Sequence, residues 1–477
     1  MQSIRLAAVR IGRVLLLLVC VVEAARAGKP IALHPDNGHY FLWRARPTIL
    51  ITSGEHYGAL LNLDFDYGRY FRALAADKLN HTRVFSGTYR EVPGSFGITD
   101  NPLAPKPGRY ICPWARSGTK FDLTKWNTEY FARLKKLMAA ADKAGIVVEM
   151  TLFCPLYREA LWRASPMNAA NNVNGVGKCR RTEVLTLKHK RLVELQVGFT
   201  KKIVSELNAF DNLYFEVCNE PYFGGVTVEW QHRIADTIIR TEADLPKKHL
   251  VSMNIANGKK KVVKPHKGVS IFNFHYCVPP DTVAMNYGLG KVIGENETGF
   301  RGRHDFLYRS EGWDFLLAGG GLYNNLDYSF TPKHPDGTLL KYKSPGGGSP
   351  ALRKQLRILK EFLYSFDFVR MKPDNSLVKS ASGGLSARVL GRRGKAYAIY
   401  IRVPLPRKPK NIRNHLKDRV KTTLVLNLPA GQYRTEWVNV KTGKTIQSEK
   451  IAHKDGEATL KSPEFANDVA LRVLSID

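Results

Sequence analysis

The sequence predicts an α/β fold: a (β/α)8 TIM barrel followed by a C-terminal antiparallel β-sandwich. Three observations carry this. Between about residues 40 and 370, eight short β-branched or aromatic runs alternate with longer stretches, most of them of helical period. After Met371 the long helical pattern stops, and short alternating runs separated by turn signals take over. No GxGxxG turn follows any of the eight runs, which argues against a doubly wound open sheet.

Taken in order, Pro47 to Ser53 is the first apolar run, and Asp64 to Leu79 follows with helical spacing. His81 to Ser86 is the second run, with its helix over Lys125 to Ala144. Ile146 to Phe153 is the third, with Arg191 to Leu207 helical. Leu213 to Glu220 is the fourth, followed by a helix over Thr227 to Glu242. Leu250 to Ile255 is the fifth; the stretch after it, Gly258 to His266, is mostly lysine and a weak helix candidate. Val269 to Tyr276 is the sixth and Lys291 to Glu297 the seventh, with Arg303 to Leu317 helical. Leu322 to Tyr328 is the eighth, closed by a helix over Pro350 to Phe366. The span exceeds the usual barrel of ~250 residues, and the excess lies in the loops after runs two and three. Turn signals at 391–394, 429–431 and 441–443 space the strands of the sandwich.

The 477 residues therefore divide into a signal segment (1–27), a barrel (28–372) and a β-sandwich (373–477). Arg5, Arg10 and Arg13 precede the apolar run Val14 to Val22, and Ala25-Arg26-Ala27 offers small residues for cleavage. This is a secretory signal pattern, and its apolar run is short for a bilayer span. The expected product is secreted, periplasmic or extracellular, with no stable membrane anchor; an uncleaved anchor is the alternative. A net charge of +31, about a third of it in the sandwich, points to an acidic partner or surface. Nucleic acid ranks low because no recognised binding motif accompanies the charge. Five cysteines follow the signal. Cys112 and Cys179 lie in loop-like sequence and are a candidate disulfide, while Cys154, Cys218 and Cys277 sit at strand ends as buried small hydrophobes. There is no CxxC, HExxH, GxSxG or P-loop, so no metal site and no cofactor is expected.

Two carboxylate motifs stand out. Asn219-Glu220-Pro221 ends the fourth run, where barrel enzymes place catalytic groups. Glu295-Asn296-Glu297-Thr298-Gly299 ends the seventh. Alternation puts both of its carboxylates on one side of the strand, Glu295 inside the barrel and Glu297 at the mouth. Glycosidic bond hydrolysis needs two carboxyl groups across the scissile bond, one protonated and one ionised. The aromatics Tyr57, Tyr110, Trp114, Tyr157, Trp162 and Tyr222 crowd the expected mouth loops and suit the C–H faces of sugar rings. The sequons at Asn80 and Asn296 lie at strand ends inside the barrel and are discounted.

With NEP after strand four and Glu-x-Gly after strand seven, residues 40 to 370 resemble the retaining glycoside hydrolases of clan A, family 5-like barrels in particular. The resemblance implies Glu220 as acid/base, Glu297 as nucleophile and Asn219 on the hydroxyl beside the anomeric carbon. It also matches Arg83 to the strand-two arginine that supports the nucleophile and His275 to the strand-six histidine, with Tyr276 beside it. Three positions depart from the pattern. Phe153-Cys154-Pro155 stands where a histidine is implied, Cys277 where a tyrosine is implied, and no tryptophan follows strand eight, where Tyr323 or Tyr328 is the candidate stacking ring. The tail, Ala430-Gly431-x-Tyr433-x-x-x-Trp437 with Thr442-Gly443, resembles a β-sandwich attached to such barrels and sometimes labelled collagen-binding; Trp437 is expected in its core. The expectation is a retaining O-glycosidase acting on a carbohydrate, an anionic glycan among the candidates. The alternative is an inactive barrel that binds polysaccharide or matrix, favoured if the two carboxyl groups lie more than about 10 Å apart.

Overall fold

The computed structural model describes residues 28–454 and 456–476. The expected signal segment lies outside the described residues. Among these, no helix is long and apolar enough to cross a membrane.

The chain opens with a small antiparallel sheet, β1 (Ala32–His34), β2 (Asn37–Trp43) and β3 (Arg46–Thr48). Its Phe41 and Trp43, with Ile31 just ahead of β1, pack on Leu50, Val147, Ile271, Val292 and Leu322, the first residues of five barrel strands. The sheet is thus a plug under the N-terminal end of the barrel. The first expected strand merged two elements, because Arg46–Thr48 pairs with β2 and the barrel strand begins only at Leu50.

Barrel strands and helices then alternate: β4 (Leu50–Gly54), α1 (Tyr67–Ala76), β5 (His81–Phe85), a hairpin of β6 (Trp114–Ser117) and β7 (Lys120–Trp126), α2 (Thr128–Lys143), β8 (Val147–Phe153), α3 (Glu159–Ala164), α4 (Lys190–Leu207), β9 (Leu213–Cys218), α5 (Val228–Ala243), β10 (Val251–Asn257), β11 (Ile271–His275), α6 (Asp281–Asn286), β12 (Val292–Thr298), α7 (Asp305–Leu317), β13 (Leu322–Leu326) and α8 (Pro350–Tyr364). The parallel order is β4-β13-β12-β11-β10-β9-β8-β5. Helices cover the outside and polar side chains such as Glu149, Glu216 and Asn273 fill the inside, so the strands are buried on both faces and read as apolar runs interrupted by single polar residues. Asn80 closes the seam between β4 and β5: its Oδ1 accepts from Ile51 N at 2.9 Å and its Nδ2 donates to Ile49 O at 2.9 Å. The lysine-rich stretch after β10 forms no helix.

The C-terminal part is a sandwich. One sheet has the order β14 (Lys372–Pro373), β16 (Ser386–Arg392), β17 (Ala396–Arg402), β22 (Asp468–Ser475), β19 (Gly431–Val438), β20 (Thr445–His453); the other is β15 (Val378–Ala381), β18 (Thr423–Leu428), β21 (Gly456–Lys461). Trp437 lies fully buried between them with Leu424, Leu426, Tyr397 and Val469, as expected. The candidate disulfide does not form: all five cysteines of the described residues are free, and the Cys112 thiol turns inward to the Trp114 carbonyl.

Candidate active site

At the C-terminal mouth of the barrel the side chains of Glu220, His275 and Glu297 converge, each offering an atom within 4.8 Å of the other two. Arg83, on β5, is completely buried beneath them. Its Nε donates to Glu216 Oε2 at 3.0 Å, its Nη2 to Asn219 Oδ1 at 2.7 Å and its Nη1 to Glu297 Oε2 at 3.2 Å. Burial works against the guanidinium charge, but the surrounding carboxylates, Glu216 first, hold its pKa well above the ordinary value. Asn219 is thereby fixed, with Nδ2 on the Tyr157 hydroxyl at 2.8 Å.

Two tyrosines clasp Glu297: Tyr57 donates to Oε2 at 3.0 Å and Tyr276 to Oε1 at 2.5 Å. Glu220 accepts from Tyr157 at 2.7 Å and Tyr222 at 3.2 Å, with His275 Nδ1 3.1 Å from Oε1. Burial pushes the Glu220 carboxyl up, but the hydrogen bond and positive charge of His275, helped by the two phenols, win and hold it below the usual range. Tyr57 (φ +57°), Glu220 (φ +35°) and Tyr276 (φ +55°) all have left-handed backbone, a conformation that costs about 1–3 kcal/mol and concentrates at functional sites. A cleft of about 230 Å³ opens over the two glutamates, walled by Phe96, Tyr157, Phe223, Tyr276 and Phe300.

Of the expected residues, Arg83, Asn219, Glu220, His275, Tyr276 and Glu297 therefore meet at one place. Tyr276 supplies the phenol that the resemblance implied at position 277. A register shift between Phe274 and His275, together with the left-handed Tyr276, turns that neighbour into the mouth. Tyr323 is elsewhere: it is buried against α7, its hydroxyl on the Tyr308 carbonyl at 2.7 Å. Tyr328 is buried behind His56, ring centroids 5.9 Å apart, and does not line the cleft. Of the mouth aromatics, Tyr57, Tyr157 and Tyr222 bond to the two glutamates, whereas Trp114 and Trp162 are packed in the core.

Glu295 does not face the barrel interior. Strand β12 bulges between Glu295 and Thr298, so alternation fails there. Asn296 faces inward, donating to Glu149 at 3.0 Å and Glu216 at 2.8 Å. Glu295 points to the helical layer, where Cys277 N donates to it at 2.6 Å and burial beside Glu311 drives its pKa well up. Glu216 and Glu149 were not singled out in the sequence. The signal was a lone acid in the middle of each apolar run, LYFEVC and VVEMTLF. Burial, reinforced by the charge of Glu216, pushes Glu149 up to about 8.

Neither a protein-family model nor a curated protein matches the chain. Solved structures do. A glycoside hydrolase aligns with a TM-score of 0.63 at 14% identity, over 94% of this chain and 97% of its own. A family 5 glycoside hydrolase from Bacteroides vulgatus ATCC 8482 aligns with a TM-score of 0.62 at 13% identity, over 94% of each chain. The fold is that of solved glycoside hydrolases. Alignment over 94% of the residues requires the C-terminal sheets as well as the barrel, so the resemblance extends to the two-part architecture.

Proposed function

We propose that the protein is an exported glycoside hydrolase that cleaves O-glycosidic bonds of an oligo- or polysaccharide with retention. The spacing of Glu220 and Glu297 carries this reading. Their oxygens approach within 4.8 Å, near the separation of about 5 Å that suits direct attack and far from the spacing that leaves room for a water between them. The same spacing speaks against the inactive-barrel alternative.

In the first step a Glu297 oxygen bonds to the anomeric carbon while the bond to the leaving oxygen breaks, and Glu220 gives that oxygen its proton. In the second, Glu220 takes a proton from water, the hydroxide adds to the anomeric carbon and Glu297 is released. Arg83, Tyr57 and Tyr276 aim the attacking carboxylate. Sugar entering the aromatic cleft expels water, which strengthens the burial that favours protonated Glu220.

On a natural glycoside, Glu297→Gln and Glu220→Gln should each lower kcat by about 10²–10⁴-fold. Glu220→Gln should be far milder in the glycosylation step of an aryl glycoside whose leaving group needs no proton. The first-formed anomer, followed by proton NMR, should match the substrate. An inverted first product removes the retaining assignment, and full activity in both variants removes the two glutamates from catalysis.

A further inference from the structure

Beside the cleft lies a second cavity of opposite character. It has a volume of about 340 Å³, within the range of small-molecule sites, and is lined by Lys260, Lys261, Lys264, His232 and His266 with no Asp or Glu. The cleft is the reverse: Glu91, Glu220 and Glu297 line it and no lysine or arginine does. The two cavities share the turn after β9, whose Tyr222 lines the basic one and donates to Glu220.

The origin of the basic cavity is the missing helix after β10. Residues 258–268 run over the outer wall of β10 and β11 without helical structure and leave a space floored by Met253, Ile255 and Phe272. The segment is pinned: Asn286 of α6 accepts from Val262 N at 2.8 Å and donates to Lys260 O at 2.8 Å. Lys259 pairs with Asp281 at 3.3 Å, and the nearby acid Asp236 is engaged by His266 at 3.2 Å. Lys260, Lys261 and Lys264 have no carboxylate partner among the described residues. Three exposed lysines on a backbone-pinned segment, without carboxylate partners and over an apolar floor, form a recognition surface for an anion carried on a ring with C–H faces.

We infer that this cavity is an accessory binding site for a carboxylated or sulfated sugar residue. The anion preference rests on the lysines alone; the choice of a sugar over another anion rests on the proposed glycosidase reading and on the wall shared with the cleft.

The test is titration calorimetry on the full chain carrying Glu297→Gln, with a sulfated oligosaccharide, a uronic-acid oligosaccharide, a neutral oligosaccharide of equal length and inorganic phosphate as separate probes. The acidic oligosaccharides should bind and the neutral one should not bind here. Lys260→Ala/Lys261→Ala/Lys264→Ala should weaken binding about tenfold or more, the effect of three ion pairs of ordinary surface strength. A control triple on the sandwich, Lys408→Ala/Lys410→Ala/Lys450→Ala, should change little. Absence of binding, an unchanged triple variant, or an equal loss in the control overturns the site. Phosphate binding as tightly as the acidic sugars overturns the sugar assignment. Because hydrolysis is not the readout, a failure of the glycosidase reading appears separately, in the activity of the Glu220 and Glu297 variants.

Discussion

Glu220 is pulled in two directions, and the balance sets a pH signature. In the free site His275 lowers its pKa against the effect of burial. A bound sugar deepens the burial, so its pKa should be higher in the complex than in the free enzyme. The alkaline limb of kcat, which reports the complex, should therefore lie above that of kcat/KM, which reports the free enzyme. Coincident or reversed limbs exclude this account. Replacing His275 by Ala should raise the limb in kcat/KM, since the lowering influence is gone. At this scale much of the site was legible. Glu220, Glu297, Arg83 and His275 are charged or polar residues that end or interrupt apolar strand runs, and a barrel gathers such ends at one mouth. Tyr57 and Tyr157 were visible only as members of a crowd of aromatics, because which ring turns inward depends on loop backbone such as the left-handed Tyr57.

Individual elements show where sequence pattern and structure part. The eight strands were readable because each is buried on both faces, but the side on which a residue points was lost wherever a strand bulges. Glu295 is the clear case: period two placed it inside, and the bulge in β12 put Asn296 there instead. The β1–β3 plug was not expected, since such short strands carry too few residues for a period to show. The seam between β4 and β5 is a further element-scale feature. Asn80 holds two backbone groups of the neighbouring strand, and Asn80→Ala leaves both without this buried partner. The expected loss is roughly 2–6 kcal/mol, from about 1–3 kcal/mol for each abandoned group. Urea unfolding should show a lower midpoint with an unchanged slope; an unchanged midpoint removes the seam role. The same burial explains why the sequon at Asn80 is unsuited to a glycan.

For the whole molecule, barrel and sandwich are joined through α7. Every residue of this helix from Phe306 to Leu317 is buried, because one side packs on the barrel and the other on β16 and β17. Trp313 stacks on Tyr400 with centroids 5.1 Å apart, and Arg309 makes a two-pronged pair with Asp468 at 2.7 and 2.8 Å. Tyr400 donates to the same carboxylate at 2.7 Å. Asp468→Ala strands a buried guanidinium and should cost about 3–5 kcal/mol. Calorimetry should show one transition shifted down as a unit; two separate transitions, or no shift, exclude this coupling. The C-terminal sheets were legible as a module. Their tight union with the barrel was not, because α7 has an unremarkable length and its all-round burial has no counterpart in a one-sided apolar stripe.

The five cysteines of the described residues share a property of a different kind: all are unpaired thiols. No disulfide joins any two of the described residues, so the fold they make is held without a covalent cross-link. Burial pushes the Cys112 thiol up to about 12 and holds Cys154, Cys218 and Cys277 well above their ordinary value, which starves peroxide and disulfide exchange of thiolate. Half-buried Cys179 is the most accessible of the five, a natural handle for attaching a spectroscopic label without disturbing the rest.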